Sequence, residues 1–431
     1  MTNVALIVLD TLRKDYFDKH FDWLSGTRFE NAWSTSHWTA SAHASMFTGK
    51  YPSELPVNKK NEFFPATEPS LIEQLAKNGY RTRGFTSNIY MSSNFNFDKG
   101  FDELEVSWRV KQIPNEDTFN WGAFISKHQD DGPSRYVKAL YQCLTDDSDT
   151  VPSLKYGAKM KLNDLGVISH EDEGSKRALE YVRKSNFDAD GEFLFLNLME
   201  AHAPYDPPEE YKTVERPEIN KRRPSLTGGY DDPEWPRTAY DDAVRYQSDM
   251  YEKIFRAVRE DFDVVITVAD HGEMLGEDGA WLHWLGIRPE VSHVPLCISG
   301  DVDIPDPESV ASLVDVHATV ADIANLDVSS PRGASLLRST NRDARLVEYR
   351  GLAQRRREVV EKVGGDPDEY DRDCYGIAEK KYHYETLDGF VGDKEWQQKL
   401  SELVESFDFE AASSDGVSDS VVEHLEDLGY A

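Results

Sequence analysis

The chain is poor in cysteine, poor in positive charge and without any long apolar run, and each shortage removes a class of protein. Three cysteines stand among 431 residues: Cys143, Cys297 and Cys374. An odd, scattered set gives no disulfide framework, and without a CxxC spacing there is no zinc knuckle. Cys297 lies in the apolar run VPLCIS and is expected in the core. No segment approaches the ~20 apolar residues that cross a bilayer. The opening MTNVALIVLD has too short an apolar run for a signal peptide and ends it in a carboxylate. The expectation is a cytoplasmic protein without membrane insertion. Internal repeats and a GxxxxGKS phosphate loop are also missing. Lysine and arginine number 48 against 79 acidic residues, a net charge of -31. Such a surface repels nucleic acid and anionic membranes. An anionic substrate would need a metal or local cations to reverse the field. The acidity is spread along the chain, a distribution that keeps a protein hydrated in concentrated salt, and it points to a salt-loving source.

What is present is globular. Hydrophobic residues make up 39% of the chain, and a chain of this length exceeds one core, so a large domain over 1–330 and a small C-terminal one over 331–431 are expected. Four short apolar runs, Val4–Asp10, Phe193–Met199, Val264–Asp270 and Val294–Ser299, suit strands buried on both faces of a parallel sheet. Helical spacing appears between them, at Ser70–Asn78, Tyr240–Glu260 and Ser309–Ala324. The alternation predicts an α/β/α sandwich with a mostly parallel central sheet and right-handed crossovers. A polar, weakly periodic stretch over 106–170 reads as an insertion that could cover the site. Pro204–Pro236 reads as an irregular surface excursion, Ala344–Tyr349 and Lys381–Glu385 as strands of a small second α+β unit, and the terminal VVEHLEDLGYA as a short helix.

In such folds ligands gather at the carboxyl ends of the strands. Two apolar runs end there in a carboxylate, Asp10 and Asp270, and a third is followed by Glu200 and His202. A buried strand that ends in Asp270-His271 carries two groups that are costly to desolvate without partners. Two carboxylates and an imidazole on one sheet edge form a hard-to-borderline site for a divalent ion; each Asp could instead simply cap a helix. Thr11 is a weaker candidate. The segment STSHWTASAHASMFTGKYP places hydroxyls at the start of a helix that Gly49 would end. A hydroxyl there feels the positive end of the helix dipole.

Taken in order, IVLDTLRKD, HASMFTGKYP, GYRTRGFTSN, LNLMEAHAPYDPP, ADHGEMLGEDG, VSHVPL and EHLEDLGY resemble the sulfatase and phosphonate monoester hydrolase families of the alkaline phosphatase superfamily. The resemblance spans nearly the whole chain and is weakest over 106–170. It implies that Asp10, Asp270 and His271 hold one divalent cation (Ca, Mn, Mg or Zn), with Thr39 as fourth ligand and nucleophile. It implies that His202 contacts the ester or protonates the leaving group. His283 stands near the place of a cation that holds the anion, and His43 replaces an arginine that orients nucleophile and anion. Lys50, Arg13 and Arg81 are further cations near the motifs that could hold the anion, although a solvated surface charge is the favoured reading of each. The family's nucleophile position carries Cys or Ser; here it carries Thr39, which cannot become an aldehyde, and this shifts weight from sulfate toward phosphate or phosphonate esters. Ser41 and Ser36 are alternatives to Thr39. Only Glu200 and His202 stand where two-metal relatives place a second ion. The expected activity is ester hydrolysis through a covalent threonine intermediate on a small-molecule or glycan substrate. Transfer to an alcohol, or an inactive relative that only binds, are the rivals.

Overall fold

The computed structural model describes residues 1–407 apart from 58–60, 66–68, most of 109–133, 147, 165–171, 216–232, 328–331, 340–343, 353 and 363. Seven strands form the central sheet: β1 (Val4–Leu9), β2 (Thr27–Arg28), β3 (Arg81–Thr86), β4 (Glu103–Val106), β5 (Glu192–Leu198), β6 (Val264–Val268) and β7 (Leu296–Gly300). Their order is β2-β7-β6-β1-β5-β3-β4. The run from β6 to β4 is parallel throughout. All residues of β1, β5 and β6 are buried, which is why these strands are apolar without alternation.

The helices that matter here are α1 (Thr39–Thr48), α2 (Ser134–Thr145), α3 (Thr150–Asp164), α4 (Ser175–Lys184), α5 (Glu234–Val258) and α6 (Leu313–Ile323). α1 packs against α6 and α4 against α5, and these two pairs supply the layers that cover the sheet. Gly49 ends α1 at φ 70, a left-handed stop that glycine takes without steric cost. Asp315 caps the start of α6, accepting from Ser312 N–H at 2.8 Å.

Several expectations need correction. β7 runs antiparallel to β6. The 27 residues between them contain only short elements and no crossover helix of the length a parallel return needs, so the chain comes straight back. α5 begins at Glu234, inside the stretch expected to be irregular, because Pro236 falls in its first turn, where no N–H partner is lost. The insertion is more regular than its pattern: α2 and α3 share a small core of Phe119, Trp121, Ala139 and Cys143, separate from the main one. The expected terminal helix lies outside the described residues.

A second, antiparallel sheet of β8 (Arg345–Arg350), β9 (Asp373–Ala378), β10 (Tyr382–Thr386) and β11 (Gly389–Val391) follows. Trp33 stacks on Tyr382 at 4.2 Å, and Glu348 N–H donates to Thr35 O, so this sheet is fastened beside the start of α1.

Candidate active site

Asp10 directly follows β1, and Asp270 and His271 stand just past β6. Because β1 and β6 are parallel neighbours, these groups meet at one sheet edge. All three are fully buried, and their ligand atoms lie within 4.8 Å of one another. Thr11 clamps the two carboxylates. Its N–H donates to Asp270 Oδ1 at 3.1 Å and its hydroxyl to Asp10 Oδ1 at 2.8 Å. That geometry requires φ 62, an unusual value for a β-branched residue, and Tyr240 holds it by donating to Thr11 O at 2.8 Å.

The two carboxylates are electrostatically unequal. Burial pushes Asp10 up, but the imidazoles of His202 and His271 and the Asn197 amide outweigh it and hold Asp10 below its ordinary value. Burial, then the charge of Asp10, pushes Asp270 up. Asp270 Oδ2 is buried with no hydrogen-bond partner and has His271 Nε2 at 3.5 Å and His43 Nδ1 at 3.8 Å. A pair of buried carboxylates with a bare oxygen and an imidazole beside it fits a divalent cation by charge and by donor type.

α1 delivers the hydroxyl. Thr39 is its first residue, and Thr39 Oγ1 lies 3.2 Å from His271 Nε2. His271 Nδ1 donates to Gly272 O at 2.9 Å, which turns Nε2 toward Thr39 and Asp270. The glycine at 272 is needed for room: a Cβ there would sit 2.2 Å from Glu290 O. Ser41 points elsewhere, donating to Val57 O, and the carbonyl of Ser36 accepts the Ser34 hydroxyl.

Three further histidines differ in setting. His202 donates from Nδ1 to Ala203 O, and its ring meets His283 edge-on with centroids 5.3 Å apart; His283 in turn lies 4.4 Å from the His271 ring. His283 therefore joins the cluster. His43 packs edge-on against Phe47 and Phe195, its Nδ1 donates to Thr39 O at 2.9 Å, and burial lowers its pKa. A neutral imidazole in that position braces the start of α1 and faces Asp270. It does not supply the positive charge of the arginine it stands for.

The candidate cations are placed away from the cluster. Lys50 follows the far end of α1, about 15 Å along the helix from Thr39. Arg81 opens β3 at the opposite sheet edge. Arg13 is spent on Asp15, Glu277 and the Glu273 carbonyl, where it holds the 273–277 loop. Glu200 turns to Ser175 N–H at the start of α4, where burial and Asp172 raise its pKa to about 8.

Sequence reasoning missed Asn88, Asn197, Glu273 and Tyr205. Asn88 donates to Asp10 Oδ2 at 2.8 Å and reaches Thr39 Oγ1 at 3.5 Å; Asn197 donates to the same oxygen of Asp10 at 3.0 Å. Asn197 was signalled by a lone polar residue inside FLFLNLM, and Asn88 by its position just past β3 on the same edge as Asp10. Glu273, fully buried, meets His283 Nδ1 at 2.9 Å and accepts from Tyr205 at 2.9 Å.

The fold is an α/β sandwich with this cluster at the carboxyl ends of its central parallel strands. The chain belongs to the sulfatase family, whose model matches residues 2–326. No curated protein sequence matches it. Among solved structures it is similar to the phosphonate monoester hydrolase of Silicibacter pomeroyi, at 16% identity, 94% of each chain covered and a TM-score of 0.60. The phosphonate monoester hydrolase of Agrobacterium radiobacter is similar at 17% identity, 99% of this chain and 95% of that one, with a TM-score of 0.57. BT4656, solved with its substrate D-glucosamine-2-N,6-O-disulfate, is similar at 13% identity, 94% and 97% coverage and a TM-score of 0.57.

Proposed function

We propose that the protein is a metal-dependent esterase that cleaves phosphate or phosphonate monoesters in preference to sulfate esters, with Thr39 as the nucleophile. The observation that carries this is the convergence of Thr39 Oγ1 on His271 Nε2 at 3.2 Å beside the bare oxygen of Asp270. Asp10, Asp270 and His271 would hold one divalent cation, with Thr39 as a fourth ligand. Bound there, the cation would lower the pKa of a hydroxyl and offset charge on the ester oxygens.

The chain's own residues supply the rest. The N-terminal end of α1 stabilises negative charge on Thr39. Asn88 and Asn197 hold Asp10, and Thr11 holds both carboxylates at fixed separation. The Thr39 oxygen, its proton released to solvent and regained at the end of the cycle, bonds to phosphorus or sulfur as the bond to the alcohol breaks. The His202–His283 pair gives the departing oxygen a proton. Water then attacks the phosphorus or sulfur, the Thr39 bond breaks, and the proton of that water returns to the pair. Tyr205 and Glu273 orient His283 for this. An aldehyde route is closed to a threonine, which is what favours phosphorus over sulfate.

The test is turnover of nitrophenyl phosphate, a nitrophenyl phosphodiester, a nitrophenyl phosphonate and nitrophenyl sulfate in concentrated KCl with Mn²⁺, Mg²⁺, Ca²⁺ or Zn²⁺. Metal-dependent turnover that falls at least about 10³-fold in Thr39→Ala and in Asp270→Ala is expected. Full turnover in Thr39→Ala sinks the nucleophile, and equal rates with and without chelator sink the metal.

A further inference from the structure

Apolar exposure in this molecule is concentrated in one place. Among the described residues, seven large hydrophobic side chains are exposed, and five of them belong to the α2–α3 lobe: Val137, Leu140, Tyr141, Leu144 and Val151. The first four recur at helical spacing and form one stripe along α2. The other side of α2 is already used, since Ala139 and Cys143 pack on Phe119 and Trp121. The helix therefore has two apolar sides, and among the described residues only one is covered.

The lobe also departs from the charge of its surroundings. α2 carries Arg135 and Lys138 and no carboxylate, and α3 carries Lys155, Lys159 and Lys161 and none before Asp164; the acidic residues Asp146, Asp147 and Asp149 fall between the two helices in the sequence. The rest of the chain bears nearly all of its 79 acidic residues. Tyr136 lies between Arg135 and Lys161, giving an amphipathic ring at the edge of the basic side. A short basic helix with an exposed Val/Leu/Tyr stripe has the make-up of a helix that lies in a lipid interface.

We infer that the α2–α3 lobe docks on an anionic lipid surface, with the Val137–Leu144 stripe among the acyl chains and Lys138 and Lys155 at the headgroups. A second copy of the chain fits less well. The stripe offers on the order of 500 Å², short of the roughly 800 Å² per partner of a standard interface. The remaining exposed large apolar residues among those described, Met1 and Val391, form no receiving patch. The net charge of -31 opposes approach to anionic lipid, but at 1 M salt the Debye length is about 3 Å, so that repulsion fades while apolar burial persists.

The test is flotation of the full chain with phosphatidylglycerol vesicles and with phosphatidylcholine vesicles, at 0.15 M and 2 M KCl. At 0.15 M KCl, binding to phosphatidylglycerol at least tenfold tighter than to phosphatidylcholine is expected, with the preference narrowing at 2 M where the lysine–headgroup attraction is screened too; Tyr141→Ser/Leu144→Ser should lose binding at both salt levels. Lys138→Glu/Lys155→Glu should weaken binding at 0.15 M. Both double variants should keep wild-type turnover of a soluble nitrophenyl ester, which separates docking from folding. Three results overturn the inference: no flotation of the wild type at either salt level, flotation indifferent to both double variants, or a wild-type dimer in light scattering that Tyr141→Ser/Leu144→Ser dissociates.

Discussion

At the residue scale, the groups that sequence exposes are those placed by strand ends. Asp10, Asp270, His271 and Thr39 were legible because a buried strand or a helix start fixes where the next side chain goes. Asn88 and Glu273 were not, because what gives them a role is the distance to a group far away in the chain. Lys50 and Arg81 misled for the converse reason: nearness in sequence to a motif says nothing once a helix or strand carries the residue to the other end. Asn88 is the most telling of the missed set, since it bridges the candidate ligand and the candidate nucleophile. Asn88→Ala should cost about 10²-fold in kcat with little change in KM, measured on the preferred nitrophenyl ester. An unchanged kcat would remove Asn88 from the site. Glu273→Gln tests the brace behind His283 in the same assay. It keeps the size and one acceptor, so folding should be intact while kcat falls about tenfold; a change in KM alone would assign Glu273 to substrate binding.

At the element scale, the junction of β8 with the main body carries a titratable group in an apolar setting. Glu348 is fully buried and accepts the Ser53 hydroxyl at 2.7 Å, while its other oxygen has no partner. Burial raises its pKa from 4.5 to about 8. A carboxyl whose pKa is higher folded than unfolded contributes stability below about pH 4.5 and loses it as pH rises through about 8. Glu348→Gln keeps the Ser53 bond and cannot ionise. Its stability relative to wild type should therefore grow by on the order of 3 kcal/mol between pH 5 and pH 8, read by calorimetry at both values. A constant gap would show that the carboxyl is ionised throughout. Strand and helix existence was readable at this scale, from the continuous apolar runs and from the helical spacing at Ser70–Asn78 and Ser309–Ala324. Direction was not: the antiparallel turn of β7 depends on what the connecting loop lacks, and no pattern within LCISG reveals it.

At the scale of the whole molecule, 79 acidic against 48 basic residues leave the compact state repelling itself. Raising KCl from 0.15 M to 2 M should raise the melting temperature, with most of the gain below about 0.5 M, where the screening length shortens fastest. A flat or falling curve would show that the surface ion pairs, such as Arg177 with Glu105 and Glu180, already balance the repulsion. The sandwich itself was legible from the alternation of runs and helices. The lobe was not, because its helices carry their apolar stripe on the outside, where periodicity cannot tell an inner face from an open one.

The position of β1 has one more consequence, for how the protein is made. Val4–Leu9 is a fully apolar strand at the middle of the sheet, yet its two neighbours, Glu192–Leu198 and Val264–Val268, lie far downstream. During synthesis this strand must wait with both hydrogen-bonding edges open until most of the chain has left the ribosome. Long-range parallel pairing of this kind is slow and exposes the chain to aggregation. A nascent chain cut short before Val264 keeps β1 half-paired and lacks Asp270 and His271, so it can neither complete the sheet nor assemble the ion-binding cluster.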